Sequence, residues 1–186
     1  FVGTELWRPP WKEPDPGFVA IIERDWDRRA VVEAVAGFDQ LEPQPDEVQT
    51  PWKASFYLDD EGLVGQVEAA LARRGLRATV RYSGGEFLDL LPAGAGKHAA
   101  VEYLRVAWEI ARHHVLVGGD SGNDLDMLED PRLRGVAVGN AQEELGELSE
   151  RQRVHQAELP FAAGVLEGAE AHEFWEETQP GRDDPD

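Results

Sequence analysis

The segment Val117-Gly118-Gly119-Asp120-Ser121-Gly122-Asn123-Asp124 constrains this chain more than any other. A short apolar run at 114–117 reads as a buried strand that ends in glycines and a carboxylate. Two more polar groups, Asn123 and Asp124, follow three and four residues later, and Ser121 and Gly122 permit the tight turn between them. Carboxylates at the C-terminal edge of a parallel strand stand where open α/β sheets put their ligands. A hard divalent cation such as Mg²⁺ takes oxygen ligands of this kind and keeps several waters besides. The competing reading is an acidic turn that only caps the next helix.

A strand of that type needs parallel neighbours, and the sequence around it supplies them. The spacing predicts a helix over 97–108, with Val101, Leu104, Ala107 and Trp108 on one face. Further helices are expected at 124–128, 142–148 and 161–175, with strands at 135–138 and 151–156. Strands alternating with helices mean βαβ units and a sheet covered on both faces. The tail 176–186, rich in acid, Pro and Gly, is expected to be disordered.

The first half has a different rhythm. A helix is predicted over 28–38, where Ala30, Val31, Ala34, Val35 and Phe38 recur at helical spacing. Residues 41–51 read as a loop. Over 52–58 the pattern alternates, with Trp52, Ala54, Phe56 and Leu58 on one face of a strand and Lys53, Ser55 and Tyr57 on the other. A helix at 62–74 is closed by Gly75. Strands at 76–82 and 86–91 join at Ser83-Gly84-Gly85, a hairpin with the residues such a turn requires. The apolar opening Phe1-Val2-Gly3-Thr4-Glu5-Leu6-Trp7 reads as a strand already under way, as in an N-terminally incomplete chain.

Charge and cysteine content narrow the function classes. Thirty-seven acidic against 18 basic residues give a formal charge of −19, a field that repels phosphate backbones and anionic lipid, so neither nucleic acid nor a membrane is an expected partner. The absence of cysteine excludes disulfides, thiolate metal sites and a cysteine nucleophile. No apolar run approaches the roughly 20 residues of a membrane span. A soluble, cytoplasmic protein is the expectation.

A second motif is Leu90-Leu91-Pro92-Ala93-Gly94-Ala95-Gly96-Lys97. As a phosphate loop it fails, since Leu91 stands where Gly is needed and His98 where Ser or Thr is needed. As a dinucleotide fingerprint it fits better at Gly94, Gly96 and Ala99, but that reading leaves Asn123 and Asp124 without a role. A third reading makes Lys97 the functional group, an ammonium at a helix start that pairs with an anion. Phe18 to Ile22 followed by Asp25-x-Asp27 resembles a strand with a paired-carboxylate turn. Glu23 and Arg24 intervene, however, and Arg28-Arg29 runs directly into a helix, so capping is the expected role. The five histidines lack metal-ligand spacing.

Lys97 on a helix start, followed by the Gly119–Asp124 segment after a strand, resembles the third and fourth motifs of the haloacid dehalogenase superfamily. Residues Gly135 to Ala141 are similar to the strand and turn that follow in members with large α/β caps. More narrowly, Val2-Gly3-Thr4-Glu5, Gln49-Thr50-Pro51-Trp52-Lys53, Tyr82-Ser83-Gly84-Gly85 and Asp89-Leu90-Leu91-Pro92 resemble the sucrose-6-phosphate phosphatase family. The resemblance implies an α/β fold: a Rossmann-like parallel core at 1–9 and 93–175, lacking its N-terminal part, with an inserted α/β cap containing antiparallel strands at 10–92.

The chemistry it implies is Mg²⁺-dependent hydrolysis of sucrose 6-phosphate through an aspartyl-phosphate. Asp120, Asn123 and Asp124 would serve the metal, Lys97 and Asp124 catalysis, and Gln49, Lys53, Ser83 and Asp89 the sugar. The superfamily's first two motifs, an Asp-x-Asp pair and a Ser or Thr, precede Val2-Gly3-Thr4-Glu5 in family order and are missing, so these residues alone are expected to be inactive. Two alternatives stay open. One is a phosphatase for another sugar phosphate or a phosphoglycerate conjugate. The other is a non-catalytic module that docks on a sucrose-phosphate synthase.

Overall fold

The computed structural model describes residues 3–7, 9–10, 13–150 and 153–175. The start of the expected first strand, the first residues of the strand at 151–156 and the tail 176–186 lie outside them. Two compact units divide the chain, Phe1–Tyr103 and Leu104–Asp186.

In the first unit, residues 3–7 form no regular strand, and among the described residues their one ladder contact is an isolated bridge between Trp7 and Pro14. The apolar run at 18–22 is a helix, α1 (Pro16–Ile22), because Asp15 caps it. One Asp15 oxygen accepts from the amides of Gly17 and Phe18 at 2.9 and 3.0 Å and from the Tyr103 hydroxyl at 2.6 Å. Proline at the first helical position adds a preset φ and wastes no amide. Of the Asp25-x-Asp27 pair, Asp27 takes the expected capping role and Asp25 does not. The Asp27 side chain accepts from the Ala30 amide at 3.0 Å to start α2 (Arg28–Val35), and Asp25 pairs with Arg77 at 2.9 Å.

The strands of this unit are β1 (Glu42–Pro43), β2 (Ala54–Tyr57), β3 (Ala78–Ser83) and β4 (Phe87–Pro92), with α3 (Val64–Arg73) between β2 and β3. They form one antiparallel sheet in the order β1-β2-β4-β3. Ala54, Phe56, Leu88 and Leu90 point to one side and close over Val31 and Val35 of α2 and Val67 and Leu71 of α3, making a core whose members are almost fully buried. Period-2 alternation then places Ser55, Tyr57, Arg81, Ser83, Phe87 and Asp89 together on the opposite face. Trp52, expected on the inward face, lies in the turn before β2, its indole N–H donating to Glu23 at 2.8 Å.

Helix α4 (Lys97–Ala107) carries the chain from the first unit into the second. The second unit is a parallel sheet of β5 (Leu116–Gly119), β6 (Arg134–Ala137) and β7 (Val154–Gln156) in that order, with α5 (Leu125–Leu128) after β5 and α6 (Phe161–Ala171) last. The helix expected at 142–148 is a 3-10 helix, Glu143–Glu150. Helix α6 stops at Ala171, short of the expected Trp175, and Glu173 has a φ of 51°. Gly168 lets α6 lie directly on β6, because a Cβ there would meet the Val136 side chain.

Candidate functional site

The turn after β5 is built around one buried carboxylate. Asp124 is 3% exposed, and its Oδ2 accepts from the backbone amides of Asp120 at 3.0 Å and Ser121 at 3.3 Å. Ser121 completes a capping box by accepting from the Asp124 amide. Gly119 is required for this closure, since a Cβ there would come within 2.7 Å of the Asp124 carboxyl carbon. From the β6 side, Val138 N–H donates to Gly119 O at 3.2 Å and Gln142 N–H to Asp120 O at 2.8 Å. The Glu144 carboxylate lies over Gly122, 2.5 Å from where a Cβ would stand.

This scaffold leaves Asp120 at the sheet edge with its side chain exposed. Its carboxylate has no hydrogen-bond or ion-pair partner among the described residues. Asn123 is exposed one turn on. A strand-end carboxylate followed three residues later by an amide side chain offers the kind of oxygen ligands that Mg²⁺ takes while retaining waters. Asp124 is placed differently. Its Oδ2 is spent on the turn, so it fits the part of a group that holds Asp120 in position.

Lys97 opens α4, as the sequence implies. The peptide before it is pinned by Gly96 N–H donating to Gly3 O at 2.8 Å, and Gly3 takes a φ of +76° there. The neighbouring Thr4 is buried with its hydroxyl unpaired among the described residues. The Gly3-Thr4 segment thus packs where the helix begins. It carries no part of an attacking group.

Of the four residues proposed for sugar contacts, three share the open face of the antiparallel sheet. Asp89 is opposite Ser55 on one side and Arg81 on the other, and Ser83 is opposite Phe87. Ser55, fully buried, donates its hydroxyl to Asp89 at 2.5 Å, and Lys53 Nζ is 4.0 Å from the other Asp89 oxygen. A partly exposed pair of this kind contributes about 0–1 kcal/mol, so its value is in placement.

Gln49 belongs elsewhere. Its Oε1 accepts from Ser55 N–H at 3.0 Å and Arg28 at 2.9 Å, and its Nε2 donates to Gln44 O at 3.0 Å and Ser55 O at 2.8 Å. Both donors and both acceptor positions are used, leaving nothing for a substrate. Arg28 also reaches Lys53 O at 3.0 Å, so α2 holds the turn that carries Lys53. Sequence reasoning missed Ser55 and Arg28 as members of this network. Strand alternation put Ser55 on the Lys53 side, and that was the available signal; nothing local marks Arg28.

The chain matches the family described as sucrose-6F-phosphate phosphohydrolase over residues 1–173. It belongs to that family. Sucrose-phosphatase 1 of Nicotiana tabacum is 37% identical over 177 residues, a match covering 89% of this chain and 42% of the tobacco protein. Mannosylfructose-phosphate phosphatase of Agrobacterium fabrum is 32% identical over 170 residues, covering 90% of this chain and 68% of that protein. A crystal structure of the Synechocystis sucrose-phosphatase in complex with sucrose and phosphate is 31% identical with a TM-score of 0.83, covering 92% of this chain and 72% of that one. The chain therefore spans less than half the length of its tobacco relative. Its fold is the haloacid dehalogenase-like α/β arrangement that the sequence implies.

Proposed function

We propose that this member of the family serves a Mg²⁺-dependent phosphatase that hydrolyses sucrose 6-phosphate to sucrose and phosphate. The observation that supports the reading most is the Gly119–Asp124 turn, where a second, buried carboxylate holds the backbone of a strand-end carboxylate that has no partner among the described residues. Residues 10–92 would be the cap and residues 1–9 and 93–175 the core. The cytoplasm is the compartment we assign.

Each residue then has a role its surroundings support. Asp120 would ligate Mg²⁺ with help from Asn123, while Asp124 fixes the turn that aims Asp120. The ion, when bound, would offset the charge on the phosphoryl oxygens. Lys97, a compact ammonium at a helix start, would neutralise the phosphate and the attacking carboxylate. Lys53, Ser83 and Asp89 would contact the sugar, with Gln49 shaping the strand beneath them. Phosphoryl transfer asks for positioning and charge stabilisation more than for protein covalent chemistry, and these groups offer both. Neither carboxylate of Asp25-x-Asp27 suits the attacking role, since one caps a helix and the other pairs with Arg77.

A second reading rests on the Agrobacterium relative. The same core would then act on another fructosyl disaccharide phosphate, with the sheet face choosing between them. The test is phosphate release by the gene's complete product, with sucrose 6-phosphate and mannosylfructose phosphate compared. Turnover should require Mg²⁺ and fall by at least a hundredfold on Asp120→Ala or Lys97→Ala. Undiminished turnover in either variant would remove the assignment.

A further inference from the structure

We propose that the carboxamide of Asn140 is a further anion-binding group of the Asp120 site, donating its NH2 to the phosphoryl oxygens. The inference deepens the phosphatase reading above and rests on it. All of its parts lie in the second unit, at the C-terminal edge of the parallel sheet, where open α/β sheets put their ligands. Beyond β6 the chain makes a tight turn, Ala141 N–H donating to Val138 O at 2.8 Å, and Asn140 is the third of its four residues. Both shoulders of the turn are tied to the strand end that carries Asp120, through Val138 N–H to Gly119 O at 3.2 Å and Gln142 N–H to Asp120 O at 2.8 Å. Asn140 therefore stands on the rim next to Asp120, the ends of neighbouring strands being ~4.8 Å apart.

The carboxamide is turned one way. Asn140 Oδ1 accepts from the Phe161 backbone amide at 2.7 Å. A backbone N–H can only donate, so its partner is the oxygen and the NH2 is the end left over. Asn140 is exposed, and that NH2 has no hydrogen-bond partner among the described residues. The arrangement costs conformational energy. Phe161 opens α6 with a φ of 52°, unfavourable for a bulky side chain, and its ring, 71% exposed, gains no burial in return. What this backbone conformation secures is the bond to Asn140. Gly139 holds the turn from the other side, its N–H donating to Leu159 O at 2.8 Å where a Cβ would collide with Glu158 O.

A neutral donor suits this edge. Asp120 and Asp124 share one turn, the Glu144 carboxylate lies over it, and the chain carries −19, so an arriving anion meets repulsion there. A further Lys or Arg on the rim would pair with Asp120 and compete with Mg²⁺ for it. A carboxamide donates to an oxyanion and leaves Asp120 to the metal. Because Phe161 fixes its orientation beforehand, it needs no reorganisation when charge develops on the phosphoryl group.

Orthophosphate is titrated by calorimetry into the gene's complete product, with and without Mn²⁺, and into its Asn140→Asp, Asn140→Ala and Asp120→Ala variants, with melting temperatures taken alongside. Asn140→Asp keeps an acceptor for the Phe161 amide and removes the donor. It should melt within about 2 °C of the parent, aspartate and asparagine being equivalent acceptors for such an amide. Its orthophosphate affinity should nevertheless fall roughly tenfold or more, the worth of one hydrogen bond to a charged group. Asn140→Ala should lose the same affinity and melt lower than the aspartate variant. A purely structural role leaves the phosphate affinity of Asn140→Asp at the parent's value, and that result overturns the proposal. Affinity lost in the aspartate variant but kept in the alanine one also overturns it, since the added charge alone then repels the anion. The phosphatase reading fails separately: orthophosphate binding that is indifferent both to Mn²⁺ and to Asp120→Ala sinks that reading, and the role of Asn140 falls with it.

Discussion

Replacing Asp124 with alanine should unfold the turn that presents Asp120. The structure sets the size of the effect. Two backbone amides, of Asp120 and Ser121, lose a charged acceptor at 3.0 and 3.3 Å. A hydrogen bond to a charged group is worth roughly 1.5–3 kcal/mol, and the longer one belongs at the low end, so the pair accounts for about 3 kcal/mol. For a chain of 186 residues, each kcal/mol lowers the melting temperature by about 2–4 °C, giving a drop of roughly 6–12 °C. Asp124→Asn keeps one acceptor oxygen and nearly the same shape, so it should lose about half as much. Thermal unfolding followed by tryptophan fluorescence measures both. A drop under about 2 °C in the alanine variant, or identical losses in the two, would refute the clamp.

Other consequences follow from the same turn and from α6. Gly119→Ala forces a methyl against the Asp124 carboxyl, a crowding worth about 1–3 kcal/mol, and Mn²⁺ affinity should fall with stability; calorimetry would show whether they fall together. Asp120→Ala should abolish Mn²⁺ binding while shifting stability by no more than about 0.5 kcal/mol, because its side chain is exposed and has no partner among the described residues. A large loss of stability would mean that Asp120 holds the fold. Glu167 gives a pH prediction. The amides of Glu158 and Leu159, and then His155, hold its carboxyl below the ordinary value of 4.5. A depressed carboxylate stabilises the fold above that ordinary value and loses its contribution as the pH falls through the folded one. Glu167→Gln should therefore flatten the acid limb of a melting-temperature profile taken from pH 6 to pH 3, and an unchanged slope there would count against this role of Glu167.

The parts of the fold that were legible in the sequence are those decided within a few residues. Alternation over 52–58 marked both faces of one strand, and the turn at 83–85 marked the hairpin beside it. The Gly119–Asp124 turn was readable because strand end, glycines and cap all lie within six positions. What local pattern could not carry depended on distant partners. The apolar run at 18–22 is equally consistent with a strand, and it is a helix because the Asp15 cap is fixed by a hydroxyl 88 residues away. Gln49 sits beside a recognisable Lys53 and shares its polarity, yet its amide is consumed by the Ser55 backbone and by Arg28, 21 residues upstream.

The same contrast bears on the charge of −19. A protein so acidic must offset its own field wherever it holds an anion, and it places two of its three lysines at proposed contact positions, Lys53 and Lys97. The two lysines differ in their surroundings. Lys53 stands within 4.0 Å of a carboxylate that Ser55 has already oriented, which weakens it as a phosphate ligand and suits it to hydroxyls. Lys97 starts a helix, where the partial positive charge of the terminus adds to its own. Lys53→Met should accordingly raise the KM for a sugar phosphate several-fold at nearly constant kcat, whereas Lys97→Met should lower kcat. Equal effects of the two substitutions on kcat would overturn this division of labour.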